Sequence, residues 1–257
     1  MSKDMINGYV ETENHKGVTT IEFFHPQSNS LPRHLLTALA TAVRDAGRDE
    51  DTRVIVLRSG GERAFCAGAS FDELTRIENE DAGYTFFSGF AEVINALRKC
   101  PKLVIGRIQG KCVGGGVGLA SAVDYAIATE GADIRLSELA VGIGPFVVGP
   151  AVERKVGASA FSQLAIDAAM WRNAEWAKRK GLFAEVHTAA EGMDESISRL
   201  ASQLAHSSPE AMRELKEVFW RGTDHWDDLL TERARISGRL VLSNFTREAI
   251  AKFKAKA

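Results

Sequence analysis

The order of strands and helices constrains the fold of this chain more than any other feature of its sequence. Alternating apolar and polar residues predict a β-hairpin over residues 8–23. An amphipathic helix is predicted after Pro32, because Leu35, Leu39 and Val43 recur at four-residue intervals. Two strands followed by a helix therefore open the chain, and the same rhythm recurs further along.

This strand and helix pattern continues through the first two thirds of the chain and then becomes helical. A helix that carries Phe86 and Phe90 ends before Pro101, whose ring cannot continue the helical hydrogen-bond ladder. Further strands are predicted at residues 53–58, 65–66, 103–108 and 125–129, and a glycine-rich turn leads into a helix at 114–121. With no linker in the sequence, we expect an α/β fold whose core spans residues 1–190, with a helical C-terminal region at 191–257.

The balanced charge of the chain argues against several classes of partner. Its 34 acidic and 32 basic residues give a net charge of −2, which provides no field for wrapping nucleic acid or coating an anionic membrane. No stretch approaches the roughly 18 apolar residues of a membrane span, and residues 1–10 lack the apolar core of a signal peptide. We therefore expect a cytoplasmic protein with neither nucleic acid nor a membrane as its partner.

Cysteine and histidine spacing indicates neither a metal site nor a disulfide framework. Cys66, Cys100 and Cys112 are an odd set without a C-x-x-C pair, and we expect buried thiols. The six histidines are scattered singly, with none in an H-E-x-x-H pattern or beside a G-x-S-x-G elbow. The sequence therefore predicts no metal and argues against a zincin or a serine hydrolase.

Two strand-to-helix junctions carry the strongest chemical signal. They are residues 64–70, with the sequence AFCAGAS, and residues 108–120, with the sequence IQGKCVGGGVGLA. The first N–H groups of a helix have no partners within it, so small residues at such a junction let a ligand oxygen approach the backbone. Two junctions that face each other would form an oxyanion hole. The glycines satisfy neither G-x-G-x-x-G nor a phosphate-loop pattern, although a purely structural glycine turn remains an alternative.

On these residues the chain resembles the enoyl-CoA hydratase/isomerase family, also called the crotonase superfamily. The segments that carry the resemblance follow in the family's order at residues 29–31, 54–57, 64–69, 110–124 and 174–186. The resemblance implies a crotonase-like spiral of repeated β-β-α units with a helical C-terminal oligomerisation region. It also implies an acyl-CoA substrate, coenzyme A as part of that thioester, no permanently bound cofactor, and a homotrimer or dimer of trimers.

The resemblance assigns the oxyanion hole to the N–H groups of Ala69 and Gly115. Ser70 stands where many relatives have aspartate, and we expect it to cap the following helix. By the same resemblance, the residues expected to contact the coenzyme A thioester are Ala64, Cys66, Ala67, Gly68, Ala69, Gly114 and Gly115, with Phe253 and Lys254 from the last helix.

The acid/base positions separate the reactions that this family performs. Family hydratases resemble one another in two glutamates, and the corresponding positions here hold Gly118 and Glu138. Moving a proton from carbon 2 to carbon 4 needs a single base, whereas adding water is matched to a pair. The segment around Glu138 also resembles the single-glutamate 3-enoyl-CoA to 2-enoyl-CoA isomerases. We therefore expect Glu138 to be catalytic and the reaction to be isomerisation.

Several alternatives stay open at this point. Glu138 could be a solvated carboxylate favoured by the helix dipole at a helix start. The chain could be a hydratase, a decarboxylase or a hydrolase that acts on an acyl-CoA, and all of these share the oxyanion. The missing first glutamate also allows a non-catalytic acyl-CoA-binding scaffold. Acyl length and branching are not encoded in any recognisable motif.

Overall fold

A computed structural model describes the backbone of residues 5–254 and the side chains of residues 5–252. The expected α/β fold is confirmed, with two sheets and helices packed around them. The larger sheet has six strands in the order β1-β2-β3-β5-β7-β9, antiparallel between β1 and β2 and parallel elsewhere. These strands are β1 (Tyr9–His15), β2 (Val18–Phe24), β3 (Val54–Ser59), β5 (Leu103–Ile108), β7 (Tyr125–Thr129) and β9 (Glu185–His187).

A smaller sheet of three short parallel strands leads into the candidate site. It contains β4 (Ala64–Cys66), β6 (Lys111–Val113) and β8 (Ile134–Arg135), in that order. Cys66 pairs with Cys112 in the register of β4 and β6. The three cysteines are free and buried, as the sequence predicts.

Side chains cap the starts of several helices. Ser70 Oγ accepts the N–H of Glu73, which confirms the predicted cap, and Ser208 Oγ accepts the N–H of Ala211. The helices are α1 (Arg33–Arg48), α2 (Phe71–Leu74), α3 (Glu80–Lys99), α4 (Gly115–Ala122), α5 (Gly149–Ile166, with a kink at Gly157), α6 (Ala174–Arg179), α7 (Ala190–Ala205), α8 (Pro209–Phe219), α9 (Trp226–Leu240) and α10 (Asn244–Lys254), with a 3₁₀ helix at Glu138–Val141.

The six-stranded sheet is covered on both faces. On one face, side chains such as Ile21, Leu57 and Leu97 belong to a large core, and each such buried side chain contributes about 1.5–3 kcal/mol. On the other face, Met193 and Ile197 of α7 pack against the strands. Helix α7 begins where the predicted C-terminal region begins, and the division of the chain at residue 190 stays a prediction.

One buried carboxylate ties the C-terminal helices to the sheet. Asp124 accepts hydrogen bonds from the N–H of Val104, from Nζ of Lys216 at 2.6 Å and from Nε1 of Trp220 at 3.0 Å. The side chains of Asp124 and Lys216 are 5% and 3% exposed, so this is a buried ion pair. Lys155 Nζ donates to the carbonyl oxygen of Asp124. The contacts of Asp124 are therefore structural.

Strand β9 differs from the predicted helical final third. Its three residues pair with β7 and form one edge of the larger sheet. A strand this short has no hydrophobic period of its own, and its pairing partner determines its conformation. Over residues 5–254, no helix is long and apolar enough to cross a membrane.

Candidate active site

The loop after β4 contains Ala69, whose N–H group has no backbone partner among the described residues. Leu31 forms a parallel bridge with Ala69, in which Leu31 N–H donates to the carbonyl of Gly68 and Ser70 N–H donates to the carbonyl of Leu31. Because the residues on either side of Ala69 make these bonds, its own N–H points to the opposite edge. That N–H has no acceptor among the residues that the structure describes.

The second donor lies at the start of α4. Gly114 has φ +51° and ψ −112°, a conformation that glycine adopts without the strain of a side chain, and its N–H donates to the carbonyl of Arg135. Gly115 then begins α4, and within residues 5–254 its N–H has no acceptor. A Cβ at Gly68 would lie 3.5 Å from the nitrogen of Gly115, so the two predicted oxyanion loops are adjacent.

An aromatic ring closes one side of this pair of loops. A Cβ at position 115 would lie 2.2 Å from Cζ of Phe90, and Phe90 is 5% exposed. The ring therefore lies directly against the Gly115 backbone and excludes water from that side. A dry site strengthens hydrogen bonds to a developing negative charge.

Glu138 lies across from the glycines at the first residue of the 3₁₀ helix. A Cβ at Gly114 would lie 2.7 Å from Oε1 of Glu138. The residue as a whole is half-buried, but its Oε2 is sealed from solvent and has no hydrogen-bond partner in the described part of the chain. Burial raises the pKa of Glu138 to about 7, opposed by its own backbone N–H and by the charge of Arg135. One carboxylate oxygen of Glu138 is therefore not solvated, and the catalytic role of this residue stays a prediction.

The position of the missing glutamate is filled by an apolar side chain. A Cβ at Gly118 would lie 2.5 Å from Cγ1 and 2.8 Å from Cβ of Val148. Val148 is 4% exposed and precedes α5. This side of α4 therefore holds neither a carboxylate nor space for one.

The charged side chains of Glu73 and Arg33, near the loop after β4, pair with other groups. Glu73 Oε2 accepts the N–H of Arg33 at the start of α1, and the Arg33 guanidinium pairs with Glu92. Cys66 packs beside the loop, and burial raises the pKa of its thiol to about 12. The thiol is therefore protonated near neutral pH and is no nucleophile. Within residues 5–254, no group of three His, Cys, Asp or Glu side chains has the arrangement of a metal site.

Most of the predicted thioester contacts lie together in the structure, and two of them lie outside the described residues. Ala64, Cys66, Ala67 and Gly68 form β4 and the loop that ends at Ala69, beside the Gly114 and Gly115 turn. The side chains of Phe253 and Lys254 lie outside the described residues.

Sequence reasoning missed Phe90, Val148 and Arg135 as residues of the site. Each of them approaches the site from a different element. Phe90 is part of an ordinary amphipathic helix pattern, and no local motif distinguishes it from core. Arg135, three residues before Glu138, is the one whose position in the sequence could have drawn attention.

Comparisons with known proteins agree on the family to which the chain is similar. The profile of the enoyl-CoA hydratase/isomerase family matches residues 13–254. The chain is 30% identical over 204 residues to a carnitinyl-CoA dehydratase of Salmonella paratyphi A, covering 79% of this chain and 76% of the relative. It is 29% identical over 208 residues to a (7aS)-7a-methyl-1,5-dioxo-2,3,5,6,7,7a-hexahydro-1H-indene-carboxyl-CoA hydrolase of Mycobacterium tuberculosis, covering 79% of this chain and 80% of the relative.

Solved structures share the fold. An enoyl-CoA hydratase from Bacillus halodurans superposes with a TM-score of 0.88 at 19% identity, covering 95% of this chain and 99% of that one. An enoyl-CoA hydratase from Mycobacterium avium superposes with a TM-score of 0.83 at 25% identity, covering 96% of each chain. These proteins share the fold of this chain at sequence identities of 19% and 25%, at which substrate specificity can differ.

Proposed function

The chain belongs to the enoyl-CoA hydratase/isomerase family, and from this premise we propose that it converts 3-enoyl-CoA to 2-enoyl-CoA thioesters with a single carboxylate. The observation that carries the proposal is the contrast between positions 138 and 118. Glu138 offers a sealed, unpartnered oxygen beside the glycine turn, whereas Gly118 faces Val148. One base in a dry site is suited to moving a proton along one face of a substrate.

The proposed reaction proceeds through an enolate. The Glu138 carboxylate takes a proton from carbon 2, and the electron pair of that C–H bond moves toward the thioester, whose oxygen becomes negative. The N–H groups of Ala69 and Gly115 stabilise this oxygen. The enolate oxygen then re-forms the thioester carbonyl, and the electron pair between carbons 1 and 2 becomes the 2,3 double bond. The electron pair of the 3,4 double bond takes the proton from protonated Glu138 at carbon 4, which restores the Glu138 carboxylate. A pKa of about 7 suits both halves of this transfer.

A second candidate is addition of water by Glu138 acting alone. The names of the relatives favour keeping it, since one is called a dehydratase and another a hydrolase. A base with a pKa of about 7 could also activate a water molecule near neutral pH. The apolar contact between Gly118 and Val148 supports isomerisation over this alternative, because position 118 then offers no polar group to hold the water.

A panel of coenzyme A thioesters tests the proposal. Purified enzyme is incubated with 3-enoyl, 2-enoyl and branched substrates, and the products are separated and identified by mass. Isomerisation of 3-enoyl-CoA faster than hydration of 2-enoyl-CoA supports the proposal. Faster hydration replaces it with the water-addition candidate, and binding without turnover of any thioester supports a scaffold.

We also propose that the protein is a homotrimer or a dimer of trimers. On α8, Met212 is buried within the chain, while Leu215, Val218 and Phe219 are 47%, 53% and 43% exposed. An exposed apolar stripe of this kind favours contact with another surface. Sedimentation of a monomer at micromolar concentration would contradict the assembly. In this proposal, Phe253 and Lys254 remain candidate contacts to coenzyme A.

A further inference from the structure

The short 3₁₀ helix that carries Glu138 has no buried residue of its own. This segment, called the Glu138 helix below, spans the four residues Glu138–Val141, and none of them is buried. Leu139 is 48% exposed. One turn of helix makes too few hydrogen bonds to be stable alone. The position of Glu138 therefore depends on what the residues on either side of its helix pack against.

Those flanking residues belong to two different clusters of the core. Leu136, before the Glu138 helix, is fully buried in the large core that covers the six-stranded sheet. Ile143, after the helix, is 4% exposed and belongs instead to a small separate cluster with Val241 and Ile250. Val241 follows α9, and Ile250 lies on α10. The C-terminal helices therefore provide one of the two anchors of the Glu138 helix.

Ile143 is joined directly to the backbone of Glu138. The N–H of Ile143 donates to the carbonyl oxygen of Glu138 at 3.0 Å, and the N–H of Gly142 donates to the same oxygen. Gly142 has φ +81°, which glycine adopts without the strain of a side chain. A displacement of the Ile143 side chain is therefore transmitted through one turn to the residue that we propose as the base.

Helix α10 also packs against this turn at its own first residues. A Cβ at Gly142 would lie 2.6 Å from Cδ1 of Phe245 and 2.7 Å from Oγ1 of Thr246. Thr246 is fully buried, and Ser243 Oγ accepts its N–H and donates to its Oγ1. The start of α10 is thus fixed, and no space remains between α10 and the turn.

The small cluster has little packing in reserve. Val241 and Ile250 also line a cavity of about 410 Å³, whose other wall contains Leu74 and Ile77. A side chain that borders a cavity has fewer neighbours that can move in to replace its contacts. Truncation of Ile250 should therefore loosen the anchor of Ile143.

We propose that Ile250 is a positioning residue that acts through Ile143 to hold the Glu138 helix beside the glycine turn. The proposal rests on the proposed role of Glu138 as the base. A misplacement of about 1 Å, caused by a mutation far from the chemistry, can cost about 10²-fold in rate. Loosening this anchor should therefore slow catalysis through Glu138, without removing a group that touches the reacting atoms.

Hydrogen exchange of the ligand-free protein measures the anchor without any turnover. The amides of Gly142 and Ile143 both donate to the Glu138 carbonyl, so their exchange rates report how firmly the helix is held. In Ile250→Ala, we expect peptides that contain both amides to exchange at least about tenfold faster. Ile250→Val removes a single methyl group and should give a smaller change in the same direction.

A matched control is available in another cluster. Ile197 of α7 is 7% exposed, against 8% for Ile250, and packs on the other face of the sheet. Ile197→Ala is therefore the same truncation at similar burial, in a cluster that shares no residue with that of Ile143. It should leave both the exchange of Gly142 and Ile143 and the kcat within about twofold of wild type. Circular dichroism melts confirm that each variant is folded.

Steady-state kinetics with a 3-enoyl-CoA thioester provide the second measurement. In Ile250→Ala, kcat should fall by about 10–100-fold while KM changes much less, because the base is displaced and the thioester contacts are kept. Combined with Glu138→Gln, the same truncation should cause no further loss, because the side chain that it positions is no longer a base.

Faster exchange together with a loss that disappears in the Glu138→Gln background supports the proposal. Unchanged exchange in folded Ile250→Ala, an equal effect of Ile197→Ala, or a full further loss in the Glu138→Gln background overturns it. If Ile250→Ala does not fold, Ile250→Val is compared with Ile197→Val by the same criteria. Faster exchange in an enzyme that does not isomerise 3-enoyl-CoA leaves the assignment of Ile250 standing and removes the proposed function instead.

Discussion

The two sides of the proposed site use different groups of the chain, backbone N–H groups on one side and a side chain on the other. The oxyanion side that we propose consists of backbone N–H groups, held by the bridge between Leu31 and Ala69 and by the turn at Gly114. The acid/base side that we propose consists of one side chain, Glu138, whose pKa is set by the groups that surround it. A backbone donor depends on chain geometry, and at Gly115 it leaves no room for a side chain, whereas the pKa of a buried carboxylate responds to each neighbouring group. Specificity within the family can therefore change on the second side while the first stays constant.

Removing the carboxylate tests the acid/base side most directly. Glu138→Gln keeps the shape of the side chain but cannot accept the proton. The rate with 3-enoyl-CoA should fall by roughly 10²–10⁴, the usual contribution of a general base, while substrate affinity is nearly kept. Steady-state kinetics and calorimetric binding of a thioester check both parts. A loss of less than about tenfold would remove Glu138 from the base role.

Removing a backbone donor tests the oxyanion side. Ala69→Pro deletes an N–H that bonds to no described residue, so the fold loses no internal hydrogen bond. We expect kcat to fall by about 10²–10³, the typical cost of one oxyanion donor. Ala69→Ser keeps the N–H and is the matched control. Equal activity of the two folded variants would contradict the assignment of this donor.

The acid/base side should also leave a signature in the stability of the protein. The folded-state pKa of Glu138 is raised from 4.5 to about 7, so the folded protein holds the proton more tightly than the unfolded chain. The stabilising contribution of this proton is complete below pH 4.5 and is lost as the pH rises through about 7. Glu138→Gln should therefore exceed the wild type in unfolding free energy at pH 8, by roughly 3 kcal/mol at most, and match it at pH 4.5.

Urea titrations at the two pH values measure this difference. The comparison is made at equal protein concentration, because self-association would add to the apparent stability. A wild-type stability that does not change between the two pH values relative to Glu138→Gln would show that Glu138 has an ordinary pKa.

A glutamate at position 118 tests whether the acid/base side of the site can be converted to that of a hydratase. Gly118→Glu places its Cβ 2.5 Å from Val148 Cγ1 and buries a charge among apolar groups. We expect this variant to lose about 1–3 kcal/mol of stability and to gain no hydration of 2-enoyl-CoA. Adding Val148→Ala makes room, and that double variant should be the one that hydrates. Hydration by Gly118→Glu alone would show that the contact with Val148 is easily displaced.

The sequence predicts most of the fold because the relevant patterns are local. The hairpin, helix α1, strand β5 and the cap at Ser70 each follow from residues within a few positions of one another. Strands β6, β8 and β9 have two or three residues each, so their conformation depends on pairing with distant segments. Their existence is a property of the folded chain and not of any short window.

The candidate site also contains residues that local motifs predict and contacts that they do not. The positions of Ala69, Gly115 and Glu138 are predicted from family motifs, since each motif lies within one junction. The contacts of Val148 with Gly118 and of Trp171 with Arg135 join residues about thirty or more positions apart, which no local pattern connects. The burial of Glu138 Oε2 likewise depends on the folded chain, and sequence reasoning left it as one of two alternatives.

The ion pair of Asp124 joins two residues that the ribosome adds to the chain at very different times. Its cation, Lys216, comes 92 residues later in the chain. A nascent chain that has reached only residue 190 contains Lys155, which bonds the carbonyl of Asp124, but not the lysine that donates to its carboxylate. Breaking a buried ion pair by removing one partner costs about 3–5 kcal/mol. We therefore expect the packing around Asp124 to become native only after α8 has brought Lys216 and Trp220 to the carboxylate.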